Sequence, residues 1–569
     1  MIEGRIKQAI IESLHSLSIE VDDVHLEFPT DISFGDVSTN IAMVLSQKTG
    51  KNPRDLAEEL ESEINNIKPE EVEKIEVAGP GFINFFYTRK FFTDLLKDIN
   101  ADSKNFGRSD HREGEKVIIE YTDPNPFKEF HIGHLMPNVI GESLSRLTEF
   151  SGARVKRASY QGDVGMHVAK AVWGMTQDDG NFPAESDSLK SKIEFLGNAY
   201  AFGSRAYEES EEARAAIVRI NKEIYEKSNE EINNLYETGR RWSLEDFERI
   251  YDLLGTKFDL YFFESEVAEK GKEVVLSGLD QGVFSESDGA IVFKGEDHGL
   301  HTRVFVNSEG LPTYEAKELA LAKEKHERYP YDSSVVVTGN EINEYFKVLL
   351  VAMEKIFPEL AKKTRHISHN ILRLPEGKMS SRKGNIISGE DLVMKAVNRS
   401  IEKMKEEYSE ETREEIARDV GVAAIKYTIL KQAIGKEVTF DMEQSLSFEG
   451  DSGPYLQYST VRARSVIEKA CSEGIEPSFE NAPESIYPLE RLLKRFPDVV
   501  LRAEKENAPH YVVTYLIEIA GEFNAFYAQE KIADPNDEYS PYKLALTKGF
   551  IAAMENGLYI LGIRVPEKM

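Results

Sequence analysis

A short apolar strand that is cut off by two prolines and followed by a helix start constrains this chain most. Residues 117–121 are rich in β-branched and apolar side chains, as expected of a buried strand. Pro124 and Pro126 then prevent the strand from continuing. From His131 onward, apolar residues recur at helical spacing with small residues between them, which is typical of a helix packed on a sheet. The pattern predicts a strand–loop–helix unit of an α/β fold.

The first turn of this predicted helix has the sequence His131-Ile132-Gly133-His134. A helix N-terminus presents unpaired backbone N–H groups and the positive end of the helix dipole, and both favour phosphate oxygens. His131 and His134 are three residues apart and share one face of the helix, while Gly133 leaves room for a flat adenine ring. We therefore predict an ATP site here. The alternative is a loop–helix junction with two incidental histidines.

A second segment, far downstream, is cationic: it has the sequence Lys378-Met379-Ser380-Ser381-Arg382-Lys383-Gly384-Asn385. The whole chain has a net charge of -30, so such a loop is less expected by chance. Lys378 and Lys383 can meet a triphosphate as point charges, and transfer at phosphorus depends mainly on such charge stabilisation. The segment predicts a phosphate-binding loop, and the alternative is a solvated basic surface loop.

The overall composition limits which kinds of protein this chain can be. At 569 residues the chain should form several domains, and a hydrophobic content of 41% suffices for packed cores. No apolar stretch reaches the length of a membrane span, and the polar N-terminus does not resemble a signal peptide. The single cysteine, Cys471, excludes internal disulfides and cysteine-rich zinc sites. We therefore expect a cytoplasmic protein without a membrane segment and without a metal held by its own side chains.

The charge balance restricts how the chain could bind RNA. Acidic residues outnumber basic ones by 100 to 70, and the isoelectric point is near 5.0. A general nucleic-acid binder is expected to carry a basic footprint. A local basic stripe can still operate on an acidic body, so we expect RNA contact to be confined to particular faces and to be sensitive to salt.

The patterns along the chain predict three domains. Residues 1–100 mix helix-like and strand-like stretches and form a small α+β unit. Residues 113–395 alternate strands and helices, which favours a mainly parallel sheet, and a charged helical insertion interrupts them at about 187–250. Residues 396–569 are helical throughout. We therefore predict a multidomain α/β protein with an all-α C-terminal domain.

The chain resembles the arginyl-tRNA synthetases, a family within the class I aminoacyl-tRNA synthetases, over essentially its whole length. The histidine motif at 131–134 and the cationic motif at 378–385 have the order and separation of the ATP motifs of that class. Further segments match the family in the Gly-Asp turn, the arginine pocket, the start of the anticodon-binding domain and the C-terminus. The matching segments are 123–135, 160–165, 314–318, 448–458 and 561–569. The resemblance implies a Rossmann-type catalytic domain, a tRNA-contacting N-terminal domain and a helical anticodon-binding domain.

The chain departs from the family pattern at several polar positions. Glu318 stands where an aspartate is usual, which makes the side chain one methylene longer. Val164 and His167 replace the usual tryptophan and glutamine, and Ile342 replaces a common glutamine. These departures bear on the polar contacts around the amino acid.

The resemblance implies a two-step reaction that uses ATP with Mg²⁺. The carboxylate of L-arginine attacks the α-phosphate of ATP, and a terminal ribose hydroxyl of tRNA(Arg) then attacks the activated carbonyl. The first nucleophile is already ionised at pH 7, so no general base is needed. The residues expected to be catalytic are His131, His134, Lys378 and Lys383. The residues expected to bind ATP are Lys128, His131, Gly133, His134, Lys378, Met379, Ser380 and Ser381.

The resemblance also implies a pocket that must prefer arginine over lysine. A planar guanidinium pairs best with carboxylates in a bidentate geometry. Glu264 and Glu318 are the expected partners, and Tyr314 is the expected wall of the pocket. Asn125 should bind the α-amino or carboxylate end. Asp123 is a further candidate, although an aspartate at a strand end often only caps a turn.

Contacts with tRNA are expected from both ends of the chain, and we expect a monomer. In the C-terminal domain the candidates are Tyr455 and Tyr458, although aromatic residues at helical spacing are more often core. In the N-terminal domain they are Phe82 and Asn84, whose apolar, glycine-flanked segment suits either an exposed recognition edge or a buried strand.

Three other functions stay open at this stage. The chain could activate another amino acid, such as lysine or glutamate. It could be a small-molecule ligase or nucleotidylyltransferase that uses no RNA, which the long helical C-terminal third argues against. It could also be a catalytically dead RNA-binding paralogue, which the intact ATP motifs argue against.

Overall fold

The computed structural model describes residues 2–29, 31–177, 182–375, 388–404 and 408–569. Contacts between residues divide the chain into two units. The first unit consists of Met1–Gly107, Ser459–Asp498 and Tyr515–Asn556. The second consists of Arg108–Tyr458, Val499–Thr514 and Gly557–Met569. The domain boundaries expected from the sequence stay predictions, because units defined by contacts need not coincide with domains.

The N-terminal part of the first unit is a small antiparallel sheet with four helices. Its elements are α1 (Ile2–Ser16), β1 (Val37–Thr39), α2 (Ile41–Thr49), α3 (Pro53–Ile67), β2 (Val72–Ala78), β3 (Phe82–Tyr87) and α4 (Arg89–Ala101). The strand order is β1-β3-β2, so β3 is the central strand. Helix α3 begins where its sequence predicts: the Asn52 side chain accepts a hydrogen bond from the Arg54 N–H, and Pro53 needs no partner at the first helical position.

Helices from the C-terminal third complete the first unit. The four helices that contribute to it are α17 (Gly453–Ser472), α18 (Pro488–Glu506), α19 (His510–Gln529) and α20 (Ser540–Ile560). The Arg89 guanidinium, at the start of α4, donates hydrogen bonds to the buried Glu490 carboxylate and to the Tyr542 hydroxyl. Arg491 pairs with the buried Asp36. The N-terminal elements and these helices therefore share buried ion pairs within one unit.

The centre of the second unit is a five-stranded sheet. Its strands are β4 (Lys116–Glu120), β5 (Arg154–Gln161), β6 (Leu260–Phe263), β10 (Ser333–Gly339) and β11 (Thr364–His369). Their order is β11-β10-β4-β5-β6, and every neighbouring pair is parallel. The chain runs outward from β4 through β5 to β6 and then returns to the other side of β4 as β10. This reversal creates a topological switch point between β4 and β10, where α/β sheets bind ligands at the carboxyl ends of their strands.

The strand–loop–helix unit and the helical insertion are both confirmed. Strand β4 is followed by α5 (Ile132–Phe150), which begins directly after His131. The insertion consists of α7 (Leu189–Glu209), α8 (Glu211–Glu226) and α9 (Glu230–Leu254), preceded by α6 (Met166–Thr176). Helices α6 and α7 approach closely because of Gly174 and Gly203: a Cβ at either glycine would lie 2.1 or 2.0 Å from a carbonyl oxygen of the other helix.

The remaining elements of the second unit complete a mixed α/β architecture. They are α10 (Glu264–Asp280), β7 (Ser285–Ser287), β8 (Ala290–Phe293), β9 (Arg303–Val306), α11 (Tyr314–Arg328), α12 (Asn343–Ile356), α13 (Pro358–Lys363), β12 (Leu372–Arg373), α14 (Gly389–Lys403), α15 (Glu410–Leu430), β13 (Val438–Thr439) and α16 (Met442–Ser445). No helix in the described part of the chain is long and apolar enough to cross a membrane. The predicted fold class, a parallel-sheet domain with a helical insertion and additional α+β and helical parts, is confirmed.

Candidate active site

The loop between β4 and α5 is strained. Thr122, Asp123 and Phe127 have φ angles of 79°, 45° and 67°, in the left-handed region that side chains other than glycine rarely adopt. Thr122 is β-branched, which makes its conformation especially unfavourable. Each such residue costs on the order of 1–3 kcal/mol and persists only where surrounding contacts hold it. Backbone strain of this kind concentrates at functional sites.

Hydrogen bonds from three neighbouring elements hold this loop in place. The carboxylate of Asp123 accepts a hydrogen bond of 2.7 Å from the backbone N–H of Tyr160, in β5. The Asn138 amide donates to the Thr122 hydroxyl at 3.1 Å. The backbone N–H of Phe127 donates to the Ser243 hydroxyl of α9 at 2.9 Å. The sheet, α5 and the insertion therefore fix the loop that carries Asp123 and Asn125.

The two histidines of the first motif cap helix α5. The Nδ1 atom of His131 accepts a hydrogen bond from the Gly133 N–H at 3.1 Å, and Nδ1 of His134 accepts one from the His131 N–H at 3.2 Å. Their rings stack with centroids 3.8 Å apart. Because both Nδ1 atoms accept, a neutral ring carries its proton on Nε2. Burial lowers the pKa of both histidines, so both rings are neutral Nε2–H donors at pH 7.

A cavity of about 620 Å³ opens at the carboxyl ends of β4, β10 and β11, next to these histidines. It lies at the switch point of the sheet. Its lining combines the loop after β4 and the first turns of α5 with the segments that follow β10 and β11. The lining residues include Thr122, Asp123, Asn125, His131, Gly133, His134, Met136, Gly339, Glu341, Ile342, His369, Ile371 and Arg373. The predicted ATP residues His131, Gly133 and His134 are thus brought together with Asp123 and Asn125.

A group of carboxylates lies beside this loop, and too few cations lie near it to balance its negative charge. Glu120 is buried, while Asp123 and Glu318 are half-buried. Lys325 donates to Glu120 at 3.0 Å, and both side chains are buried. The pKa of Glu318 is raised to about 8, first by burial and then by the negative charge of Glu120. Burial and the same charge raise the pKa of Asp123 well above its usual value. Glu318 accepts no hydrogen bond from any described residue. A cationic ligand would therefore stabilise the ionised form of this group.

Glu264 is the second predicted partner of arginine, and it is already paired. The Lys317 ammonium donates to its carboxylate at 2.6 Å, and both side chains are buried. A Cβ added at Gly162 would lie 2.3 Å from the Asn125 side-chain oxygen and 3.1 Å from the Glu264 carboxylate. Asn125 and Glu264 therefore border the same space, and only a glycine fits between them.

Lys317 is a functional candidate that the sequence analysis missed. The signal was present: Lys317 lies three residues after Tyr314, so the two share one helix face. The Lys317 ammonium lies 5.3 Å from the centre of the Tyr314 ring. Tyr314 itself is 59% exposed, so it lies at the rim and not within the buried carboxylate group. Lys128 is half-buried, and its ammonium lies 5.5 Å from the centre of the Tyr200 ring.

The predicted phosphate loop lies outside the described residues. This applies to Lys378, Met379, Ser380, Ser381 and Lys383, whose roles stay predictions.

The two pairs of predicted tRNA contacts differ in exposure. Asn84 lies in the central strand β3, is 4% exposed, and accepts a hydrogen bond from the Ser38 hydroxyl at 2.7 Å. Of the two alternatives for its segment, the structure has the buried strand, so we do not propose Asn84 as a tRNA contact. Phe82, at the start of β3, is half-buried, as are Tyr455 and Tyr458. These three stay predictions.

Three family models match the chain. The model described as "tRNA synthetases class I (R), catalytic domain" matches residues 96–442. The "Arginyl tRNA synthetase N terminal domain" model matches residues 3–87, and the "DALR anticodon binding domain" model matches residues 456–569. Together these models cover most of the chain.

Curated relatives and solved structures match the chain over its length. An arginine–tRNA ligase of Clostridium perfringens is 30% identical over 580 residues, which covers 100% of this chain and 99% of the relative. One of Clostridium beijerinckii is 31% identical over 567 residues, which covers 98% of each. The structure of Thermus thermophilus arginyl-tRNA synthetase has a TM-score of 0.80 at 24% identity, with 100% of both chains covered. That of the Plasmodium falciparum enzyme has a TM-score of 0.78 at 20% identity.

Proposed function

Because the chain belongs to the arginyl-tRNA synthetase family, we propose that it activates L-arginine with ATP and transfers the arginyl group to the 3′-terminal adenosine of tRNA(Arg). The products are arginyl-tRNA, AMP and pyrophosphate. The observation that carries this proposal is a nucleotide-sized cavity at the switch point of the sheet, lined by the capping histidines and by Asp123, whose carboxyl lies near the negative charges of Glu120 and Glu318. A nucleotide and a cationic amino acid both find complementary groups there.

In the first step, the arginine carboxylate attacks the α-phosphorus of ATP, and pyrophosphate leaves. The Nε2–H groups of His131 and His134 would donate hydrogen bonds to phosphate oxygens, where charge grows in the transition state. Neutral rings suit this role because each donates a hydrogen bond from Nε2–H and does not transfer its proton to the attacking carboxylate. Lys378 and Lys383 would add point charges to the triphosphate.

Recognition of the guanidinium would depend on Glu318, with Asp123 and Glu264 beside it. A guanidinium has five N–H donors in a planar fork, whereas the lysine ammonium has three donors at one point. A lysine substrate would leave buried carboxylate oxygens without partners, which costs about 1–3 kcal/mol for each group. Asn125 would hold the amino acid end of arginine, on the other side of Gly162.

Mg²⁺ would enter with ATP. Among the residues that the structure describes, no group of three or more His, Cys, Asp or Glu side chains could hold a metal ion. The ion would be held chiefly by triphosphate oxygens, as is usual for nucleotide-bound Mg²⁺. The ion would spread the charge of the leaving pyrophosphate.

In the second step, a ribose hydroxyl of the terminal adenosine attacks the activated carbonyl, and AMP leaves. Half-buried tyrosines such as Tyr455 and Tyr458 are candidates for RNA contact in the helical region. We further propose a cytoplasmic monomer. The single cysteine, Cys471, is in keeping with a reducing compartment, and analytical ultracentrifugation would test the monomer.

Charging of a tRNA pool with each of the twenty amino acids tests the function directly. We expect only arginine to be attached, with AMP and pyrophosphate formed in step with arginyl-tRNA. Charging with lysine or glutamate would replace the amino acid in the proposal. Arginine-dependent ATP turnover without any charged tRNA would instead favour a ligase that uses no RNA.

A further inference from the structure

Lys317, on α11, lies between Glu264 and the helical insertion. Its ammonium donates to Oε2 of Glu264 at 2.6 Å and to the hydroxyl of Tyr225, on α8 of the insertion, at 3.3 Å. The side chains of Lys317 and Glu264 are 6% and 5% exposed. A buried ammonium keeps such partners, because losing them would leave an unpaired charge inside the protein. The insertion therefore contacts the cation that holds Glu264.

The other carboxylate oxygen of Glu264 faces the place expected for the amino acid. This atom, Oε1, accepts no hydrogen bond from any described residue, and part of its surface stays open. A Cβ added at Gly162 would lie 3.1 Å from it and 2.3 Å from the side-chain oxygen of Asn125. Because Lys317 bonds to Oε2 alone, Oε1 is left as an acceptor for a cationic ligand.

The insertion reaches Glu264 by a second route, through the fully buried Asp163. The Asp163 carboxylate accepts hydrogen bonds from the Tyr236 hydroxyl at 3.2 Å and from the Arg240 guanidinium at 2.9 Å, both on α9. It also accepts from the backbone N–H of Ser265 at 2.9 Å and from the Ser265 hydroxyl at 2.7 Å. Ser265 directly follows Glu264 at the start of α10. The insertion therefore holds the backbone beside Glu264 as well as its side chain.

Lys317 also controls the charge of Glu264. Burial raises the pKa of Glu264, and the Lys317 ammonium opposes this shift more strongly than any other group. The charge of Asp163 raises this pKa further, and the ammonium of Lys128 lowers it. The other ionisable groups near Glu264 are acids or phenols: Glu318, Tyr160, Tyr225, Tyr314 and Tyr345. A carboxyl in these surroundings without Lys317 favours its protonated form at neutral pH, in which it pairs weakly with a cation.

We propose that Lys317 is a positioning residue through which the helical insertion presents Glu264 to the arginine substrate. This inference rests on the proposed activation of arginine. Lys317 holds Oε2 and leaves Oε1 to accept a hydrogen bond from bound arginine, while Tyr225 keeps the ammonium in place. The insertion thus takes part in binding the amino acid, although none of its residues belongs to the parallel sheet.

The test measures KM for arginine, KM for ATP and kcat in tRNA charging by the wild type, Lys317→Met and Tyr225→Phe. Methionine removes the charge of Lys317 and keeps an unbranched side chain. At neutral pH, Lys317→Met should raise the KM for arginine at least about tenfold, the value of one charge-assisted hydrogen bond. Tyr225→Phe removes only the bond from the insertion and should raise this KM by about fivefold. The KM for ATP, and kcat at saturating arginine, should stay within about twofold of the wild type.

A pH series and two further variants separate positioning from a general loss of structure. The ratio of the arginine KM in Lys317→Met to that in the wild type should fall between about pH 7 and 8.5, because Glu264 without its cation ionises only as the pH rises. Lys317→Arg returns a cation and should restore most of the wild-type KM. Lys192→Met is the matched control: Lys192 is buried in the insertion and donates to the Glu185 carbonyl at 2.7 Å, so its loss should leave the KM for arginine unchanged.

Two results would overturn the inference, once circular dichroism has shown that the variants are folded. One is a KM for arginine within about twofold of the wild type in Lys317→Met, or in Tyr225→Phe if Lys317→Met does not fold. The other is a raised KM in Lys317→Met whose ratio to the wild type is the same at every pH or is matched by Lys192→Met. If the wild type attaches no arginine to tRNA, it is the proposed function that fails.

Discussion

Arginine binding should become weaker as the pH falls below 8, because Glu318 must lose a proton to pair with the guanidinium. A carboxyl with a pKa of about 8 is about one-tenth ionised at pH 7 and about one-hundredth at pH 6. Bound arginine favours the ionised form, so the pKa in the complex lies well below that of the free enzyme. Arginine binding therefore releases a proton from Glu318. The affinity for arginine is fully present above pH 8 and is lost as the pH falls toward the pKa of the complex. The dissociation constant should rise about tenfold for each pH unit below 8, or about 1.4 kcal/mol per unit.

Isothermal titration calorimetry measures both parts of this prediction. Dissociation constants for arginine at pH 6, 7 and 8 give the slope, and titrations in buffers of different ionisation enthalpy give the proton count. Glu318→Gln should bind arginine weakly, with a much smaller slope. Glu327→Gln is the matched control, because Glu327 lies on the same helix, is exposed, and should leave the slope unchanged. A wild-type dissociation constant that is flat between pH 6 and 8, without proton release, would refute the assigned role of Glu318.

Three further perturbations test other parts of the structure. Lys378→Ala should raise the activation free energy of arginine activation by about 3 kcal/mol, which lowers the single-turnover rate more than a hundredfold and leaves ATP affinity nearly unchanged. A raised KM for ATP at constant kcat would contradict this role. Lys317→Met leaves Glu264 buried without its cation and should lower the free energy of unfolding by about 3–5 kcal/mol in urea, with added arginine restoring part of the loss. Arg89→Ala should lower the free energy of unfolding by a similar amount, because the side chain of Glu490 is fully buried, and it should not change the KM for arginine. An unfolding midpoint equal to that of the wild type would show that the Arg89–Glu490 pair contributes no stability.

The parts of the fold that depend on local patterns could be predicted from the sequence. The proline-terminated strand and the helix start at His131 were expected from residue types alone, and β4 and α5 lie within one residue of those expectations. The helical insertion was expected from charge and apolar spacing. The strand order was not, since the return of the chain as β10 beside β4 depends on contacts that are distant in sequence. Consequently the switch point could be located only in the structure.

The sequence predicted residue types for the candidate site, but it could not predict their charge states. Three of the predicted acids, Asp123, Glu264 and Glu318, do border one region, but pairing with Lys317 makes Glu264 differ from the other two. That pairing joins α10 to α11, and no spacing in the sequence indicates it. The proton positions on His131 and the strained loop at Thr122 likewise follow from backbone contacts.

The buried position of Asn84 changes how the N-terminal region should be tested for a role in tRNA binding. Removing residues 1–100 would delete Arg89 and Asp36 and leave Glu490 and Arg491 without their ion-pair partners. Loss of charging in such a truncation would follow from unfolding alone. Phe82→Ala in the full-length chain avoids this difficulty, because the Phe82 side chain is only half-buried and the change keeps the ion pairs of Arg89 and Asp36. A raised KM for tRNA with unchanged unfolding and unchanged KM for arginine is the result expected of a true RNA contact, whereas an unchanged KM for tRNA would leave Phe82 as part of the sheet alone.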